Sequence, residues 1–271
     1  MAIRRKIDVS EYRIPIPCTL LKSPVTLCHI SDIHSRRYGD YSTEAAKAIA
    51  ARAYDALICT GDAIDCSWDV GGDLFFTLLD QLPPHPTLVS PGNHEKRIEC
   101  SEGSLPFAER CRARGIHYLD NAAATLSFDT QTICFYGYIQ PFRSFGVRGR
   151  LNARLRQNIH KADLMHTLGP CRTDVPVVLL AHDPAPFASY AAWGAPLTLS
   201  GHMHGGSVRL PLVGGLLSPA RTFFPRYDAG LYRDRNSHMI VSRGLAASLF
   251  PPRIRNHPEV AFITLYPQKE A

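Results

Sequence analysis

With 271 residues, 45% of them hydrophobic, the chain can bury a large core, and this ordinary globular composition argues against a disordered chain. A net charge of +6 leaves phosphate-bearing substrates, anionic lipid and nucleic acid all open. No uncharged apolar stretch reaches the roughly 18 residues of a spanning helix, and the 8 scattered cysteines form no CxxC pair, which favours a reducing, cytoplasmic setting over a disulfide framework.

The N-terminal segment 1–6 is basic through Arg4, Arg5 and Lys6, but residues 7–21 are interrupted by Asp8, Glu11, Arg13 and two prolines, so no signal peptide is expected. Apolar runs with β-branched residues then predict strands over 25–30, 56–59, 87–89, 133–138 and 175–181. Cys28, Cys59 and Cys134 fall inside these runs, where a free cysteine behaves as a small buried hydrophobe. Helical patterns alternate with the strands: 43–53, opened by a Ser42/Thr43 cap, about 73–82, and 105–114, closed by Gly115. Strand and helix in succession predict an α/β sheet.

A further helix is predicted over 151–168, where Leu151, Leu155, Ile159, Ala162 and Met165 share one face and Gly169-Pro170 ends the run. Arg143, Arg148, Arg150, Arg154, Arg156 and Lys161 make 143–168 the most basic stretch, read as a solvated face or as a lid that meets anionic substrate or lipid. After Pro196 the pattern turns to short strands, at 207–210, 239–242 and 260–265. With no internal repeat and no low-complexity linker, residues 1–271 read as a single domain.

Five short segments stand out, four of them directly after a predicted strand: Asp32-Ile33-His34, Gly61-Asp62, Gly92-Asn93-His94-Glu95, Ala181-His182-Asp183 and Gly201-His202-Met203-His204. Singly each has an ordinary reading, since Gly-Asp at a strand end is commonly a turn and a lone histidine a satisfied polar residue. Together they place carboxylate, imidazole and amide oxygen in loops that converge on the ligand crevice of an α/β sheet. Asp32, His34, Asp62, Asn93, His182, His202 and His204 include no thiolate and suit borderline divalent ions such as Mn²⁺, Fe²⁺ or Zn²⁺. They exceed what one tetrahedral ion takes, so two ions sharing a carboxylate, best supplied by Asp62, is the economical arrangement.

The ordered set D-x-H, G-D, G-N-H-E, H, G-H-x-H, over about residues 31–204, resembles the calcineurin-like metallophosphoesterase superfamily. The sequences at 201–211, 228–232 and 241–245 further resemble its bacterial branch of YkuE- and YaeI-like phosphohydrolases and UDP-2,3-diacylglucosamine hydrolases. The resemblance implies a four-layer αββα sandwich of two mixed β-sheets flanked by helices. It implies that Asp32, His34 and His204 hold one ion, that Asn93, His182 and His202 hold a second, and that Asp62 bridges them. His94 would then protonate the leaving oxygen, with Asp65 orienting it; the plain reading of Asp65 is a turn residue.

Arg36 and Arg37, close to the first ligand pair, and Arg243 or Arg253 are candidates for substrate phosphate, although surface exposure is the commoner fate of arginine. Phe223, Phe224 and Tyr232 fit either an apolar pocket or the core. Many relatives in the branch begin with a membrane-spanning helix or export signal; this chain begins near its first strand, which argues against constitutive anchoring and leaves peripheral membrane contact open. The expected activity is hydrolysis of a phosphoester or pyrophosphate bond in a phosphorylated small molecule or lipid, with UDP-2,3-diacylglucosamine the specific candidate and no obligate protein partner. A nucleotide phosphodiesterase or nuclease is the second reading, nucleic acid being the less expected substrate, and a non-catalytic metal-binding scaffold the third.

Overall fold

The computed structural model describes residues 6–17, 19–34, 40–103, 106–140, 159–206, 208–210, 214–216, 223–246 and 253–268. One sheet contains β1 (Asp8–Pro17), β2 (Val25–Ile30), β3 (Ala56–Cys59), β4 (Thr87–Val89), β5 (His117–Tyr118) and β14 (Glu259–Gln268), in the order β1-β14-β2-β3-β4-β5. The other contains β6 (Ala122–Phe128), β7 (Gln131–Tyr138), β8 (Val177–Ala181), β9 (Leu197–Ser200), β12 (Gly230–Asp234) and β13 (Ser237–Val241), in the order β12-β13-β9-β8-β7-β6. Both are mixed: β2, β3, β4 and β5 run parallel while β14 opposes β2, and β7, β8, β9 and β13 run parallel while β6 and β12 are antiparallel at the edges.

Period-two alternation explains the layers. Leu27, Ile58 and Leu88 point from the first sheet into a core shared with Phe135, Val178, Leu180 and Leu199 of the second. Their neighbours Cys28, Leu57, Cys59 and Val89 face the other way, against buried residues of α1 (Ser42–Ala50), α2 (Asp73–Leu79) and α4 (Pro106–Ala113). Across the molecule, Tyr136, Val177 and Leu179 pack with Leu164 of α5 (Lys161–Leu168) and with Tyr190 and Trp193 of α6 (Phe187–Trp193). The result is the expected four-layer αββα sandwich. Cys28, Cys59 and Cys134 are buried, as their apolar runs predict.

Several boundaries and elements differ from the sequence reading. β1 was not expected, because charges and prolines interrupt it; as an edge strand paired only to β14 it tolerates both. α3 (Asn93–Glu102) lacks an apolar stripe, since of its residues only Glu95 and Ile98 are buried. The helix expected over 151–168 begins at Lys161: residues 151–158 lie outside the described residues, Ile159 is buried ahead of the helix, and the His160 N–H donates to Asp163 Oδ2 at 2.7 Å as a cap. Of the basic segment 143–168, residues 143–158 likewise lie outside the described residues. None of the described helices is long and apolar enough to cross a membrane.

Candidate metal centre

The parallel strands carry the candidate ligands at their carboxyl ends. β2 delivers Asp32 and His34, β3 delivers Asp62, β4 leads into Asn93 at the start of α3, β8 delivers His182, and β9 delivers His202 and His204. The two sheets therefore aim their loops at one place. Asp32, His34, Asp62, His202 and His204 all have φ between 48° and 70°. A left-handed backbone at non-glycine residues is costly, and its concentration here marks loops held by the rest of the fold.

Two glycines permit the approach of these loops. A Cβ on Gly92 would run into Asp62 Oδ1, and one on Gly201 into Ser31 Oγ and, at 2.5 Å, Asp32 Oδ2. Backbone donors then fix the carboxylates: His202 N–H reaches Asp32 Oδ2 at 3.0 Å, and His94 N–H reaches Asp62 Oδ1 at 2.9 Å. Asp62 Oδ2 is thereby turned inward. His182 Nδ1 donates to the Thr60 carbonyl at 2.7 Å, so its Nε2 also faces the centre.

The converging atoms form two sets. Asp32, His34 and His204 offer ligand atoms within 4.8 Å of one another, as do Asp62, His182 and His202. Nε2 of His34 lies 3.2 Å from Nε2 of His204, which lies 3.3 Å from Asp32 Oδ1. His202 Nδ1 and Asp62 Oδ2 each lie 3.2 Å from His182 Nε2. Ligands about 2.1 Å from one ion sit roughly 3.0–3.4 Å apart, so these spacings suit a shared cation. Asn93 Oδ1 is buried with no hydrogen-bond partner among the described residues, as an amide ligand would be. Asp62 Oδ2 also lies 4.0 Å from His34 Nε2, placing it between the sets.

The electrostatics match this reading. Burial raises the cost of charge on Asp62, but the His182 and His94 charges beside it hold its carboxyl well below the usual range. Burial and the adjacent His94 charge push His34 down to about 3, leaving a neutral ring. At His94, burial opposes the charge but Asp62 overcomes it, lifting the group to about 9.

The ring of His94 lies edge-on to that of His34, with centroids 4.6 Å apart. Its Nδ1 lies 3.2 Å from the Cys66 backbone nitrogen, which leaves Nε2 as the nitrogen for proton transfer to a leaving oxygen. Asp65 is buried nearby, but its Oδ2 stops 4.0 Å from His94 Nδ1 while Oδ1 accepts the Ser67 N–H at 2.8 Å. The Cys66 backbone nitrogen and, at 4.0 Å, the Asp65 carboxylate thus both face His94 Nδ1.

Arg243 does not face this centre through a free guanidinium: Nη1 binds Asp8 Oδ2 at 3.1 Å and Nη2 lies 3.4 Å from Glu259 Oε1. Arg253 donates to the carbonyls of Ala246 and Arg243, bracing the loop beside Asp32. Arg36 and Arg37 lie outside the described residues. Tyr232 hydrogen-bonds Asp228, whose Oδ2 holds the Gly215 N–H, and so supports the loops beyond His204.

Glu95 has a role that the sequence reading did not assign. Fully buried, it accepts backbone N–H groups of Asp62, Ala63, Ile64 and Gly92, tying the Gly-Asp loop to the Gly-Asn-His-Glu loop. Asn256 Nδ2 similarly holds the His204 carbonyl at 2.6 Å. A cavity of about 310 Å³ is lined by Lys96, Asn121, Tyr138, Gln140, Asp163 and His166 among others; Gln140 Nε2 lies 3.4 Å from Asp183 Oδ2.

The sequence model of the calcineurin-like phosphoesterases matches residues 25–206, which spans every candidate ligand. The chain belongs to this family. As a member it is a hydrolase of phosphoester bonds, with a dinuclear divalent metal site implied by the fold and ligand groups present to form it. It is similar to the phosphodiesterase YaeI of Escherichia coli (strain K12), at 26% identity over 252 residues, covering 90% of this chain and 83% of that one. The metallophosphoesterase YkuE of Bacillus subtilis (strain 168) is 34% identical over 88 residues, 32% of this chain and 30% of its own. A transmembrane protein with a metallophosphoesterase domain from Danio rerio is 30% identical over 220 residues, 78% of this chain but 46% of that protein. Among solved structures, a dimetal phosphatase from Danio rerio aligns with a TM-score of 0.47 at 13% identity, over 91% of this chain and 93% of that one.

Proposed function

We propose that this metallophosphoesterase cleaves a phosphodiester or pyrophosphate bond, and that a lipid-linked pyrophosphate such as UDP-2,3-diacylglucosamine is the first substrate to test. The observation that carries hydrolysis is the position of Asp62 Oδ2, 3.2 Å from His182 Nε2 and 4.0 Å from His34 Nε2, between two clusters of ligand atoms. Asp32, His34 and His204 would hold one ion, Asn93, His182 and His202 the other, and Asp62 both. When bound, the ions, Mn²⁺ first and Fe²⁺ or Zn²⁺ as alternatives for these donors, supply charge against phosphate oxygens and acidify water for attack.

The remaining steps belong to side chains. Charged His94 gives a proton from Nε2 to the leaving oxygen and is left neutral, its Nδ1 being turned to the Cys66 backbone. Similarity to a phosphodiesterase over 90% of the chain supports a diester or anhydride over a monoester. Free thiols at Cys28, Cys59, Cys66 and Cys100 support a reducing, cytoplasmic setting.

The test is Mn²⁺-dependent hydrolysis of an aryl phosphodiester by the purified chain and by its His94→Ala and Asn93→Ala variants. Undiminished turnover in both variants overturns the site, and no turnover by the fully loaded chain makes it a metal-binding scaffold. Lipid-linked pyrophosphate compared with cyclic and linear nucleotides at matched concentration then tests the substrate. A nucleotide preference would make the chain a nucleotide phosphodiesterase.

A further inference from the structure

The ribbon that follows the His202–His204 loop turns its apolar side outward. β10 (Arg209–Leu210) pairs antiparallel with β11 (Gly214–Gly215), and a parallel bridge joins Val208 to Ile254. The N–H groups of Arg209, Leu216 and Phe224 donate to the carbonyls of Ile254, Val208 and Leu216 at 3.0, 2.8 and 3.0 Å. Ile254, Val208, Leu216 and Phe224 therefore follow one another across the ribbon. The Arg209–Gly215 register sets Leu216 opposite Val208, and alternation adds Leu210 to their face.

That face is open to solvent: Leu210 is 41% exposed, Ile254 50%, Phe224 58% and the adjoining Phe223 66%. The opposite face is the one that packs. Arg209 Nη1 reaches inward to the Gly205 carbonyl at 3.0 Å and to Asp228 at 2.9 Å, and a Cβ on Gly206 would strike the Gly215 Cα at 2.5 Å. A surface ribbon ordinarily buries its apolar face and shows its polar one. A contiguous apolar patch beside a catalytic loop marks an interaction surface.

Charge selects the partner. Arg209 and Arg243 are taken by Asp228, Asp8 and Glu259, and Arg253 by backbone carbonyls, so the charge at the patch is that of Arg226 and Arg255. Arg226 and Arg255 are exposed at the patch's own segments. Two copies meeting through this face would set arginine against arginine, whereas exposed aromatic and aliphatic groups rimmed by arginine suit an anionic lipid surface. We infer that this ribbon face docks on an anionic bilayer, with the His202–His204 loop at its inner edge. The inference places peripheral membrane contact on the ribbon, and it does not depend on the substrate being a lipid.

Co-sedimentation of the full chain with vesicles tests it, using phosphatidylcholine alone and an equimolar mixture with phosphatidylglycerol. The chain should bind the anionic vesicles, less so as salt is raised, and Phe223→Glu with Ile254→Glu should lower binding by about 10-fold or more. Hydrolysis of a soluble aryl phosphodiester should be unchanged in that variant. If the double Glu variant melts early, Phe223→Ser with Ile254→Ser replaces it. The proposal is overturned if the unaltered chain ignores anionic vesicles, if the stable double variant binds like it, or if sedimentation velocity shows a dimer that the variant dissociates.

Discussion

Oδ2 of Asp62 stands 3.2 Å from Nε2 of His182, with both side chains buried. Burial disfavours an imidazolium there, but the Asp62 carboxylate outweighs it and lifts His182 to about 10. A divalent ion held by this pair displaces that proton. Asp62→Asn keeps the shape and removes the charge at the position between the two ligand sets. Elemental analysis should then find fewer ions per chain, and hydrolysis of an aryl phosphodiester should fall by about 100-fold. Full metal content in the variant would remove Asp62 from the bridging position.

Glu95 is expected to matter for the shape of the centre while touching no substrate. Its carboxylate satisfies four N–H groups, three of them in the Asp62–Ile64 stretch. Glu95→Ala leaves these donors buried and unpaired, at a cost of about 3 kcal/mol. Denaturant titration should show that loss together with weaker metal binding, and Glu95→Gln should recover part of both. A variant as stable as the parent would mean that water replaces the carboxylate.

Gly92 has φ −104°, a value open to any residue, so its requirement is space alone. The Cβ of Gly92→Ala would meet Asp62 Oδ1 and, at 2.5 Å, the Asp62 backbone nitrogen. Relief must come from moving Asp62, because backbone offers no flexible end to yield. Overpacking of this kind costs about 1–3 kcal/mol. Activity should fall further than stability does, since the displaced group is a ligand; the comparison is turnover of an aryl phosphodiester against the unfolding midpoint.

The strands that carry the ligands were legible because both their faces are buried, so 25–30, 56–59 and 87–89 read as mainly apolar runs with the bounds the structure gives them. The ligands were legible because Asp and His directly follow those runs. Glu95 was not: an acid at a helix start reads as a solvated residue, and its burial is decided by a loop about thirty positions earlier in the chain. Nor does sequence show that Asp32, His34, Asp62, His202 and His204 share a left-handed backbone, since only packing forces that conformation on them. β1 escaped notice for the opposite reason. Its charges are those of an edge strand, and its partner β14 lies at the other end of the chain.

Arg243 illustrates the same long-range dependence. As an arginine of the β-rich half it is a candidate phosphate ligand, but Asp8, 235 positions away, and Glu259 take its guanidinium. Glu259 is buried, so Arg243→Ala leaves a carboxylate without its counter-charge, which costs about 3 kcal/mol. The Michaelis constant for an aryl phosphodiester should stay within about twofold while the melting temperature drops. A raised Michaelis constant at unchanged stability would return Arg243 to the substrate.

His29 contributes to the acid sensitivity of the fold. Its ring is fully buried, with Nε2 2.8 Å from Thr60 Oγ1 and Nδ1 without a partner among the described residues. Burial, only partly offset by the Glu259 and Asp32 carboxylates, pushes its pKa down to about 4, from the 6.5 of a free histidine. Between these values the unfolded chain binds a proton that the folded chain refuses. Stability therefore falls as pH drops through this window, by about 1.4 kcal/mol for each pH unit, while above it both states are neutral and the effect vanishes. His29→Gln keeps a hydrogen-bonding partner for the Thr60 hydroxyl and cannot titrate. Urea denaturation between pH 7 and pH 4.5 should show a shallower decline for the variant, even if it starts from lower stability. An identical slope in parent and variant would assign the acid sensitivity to other groups.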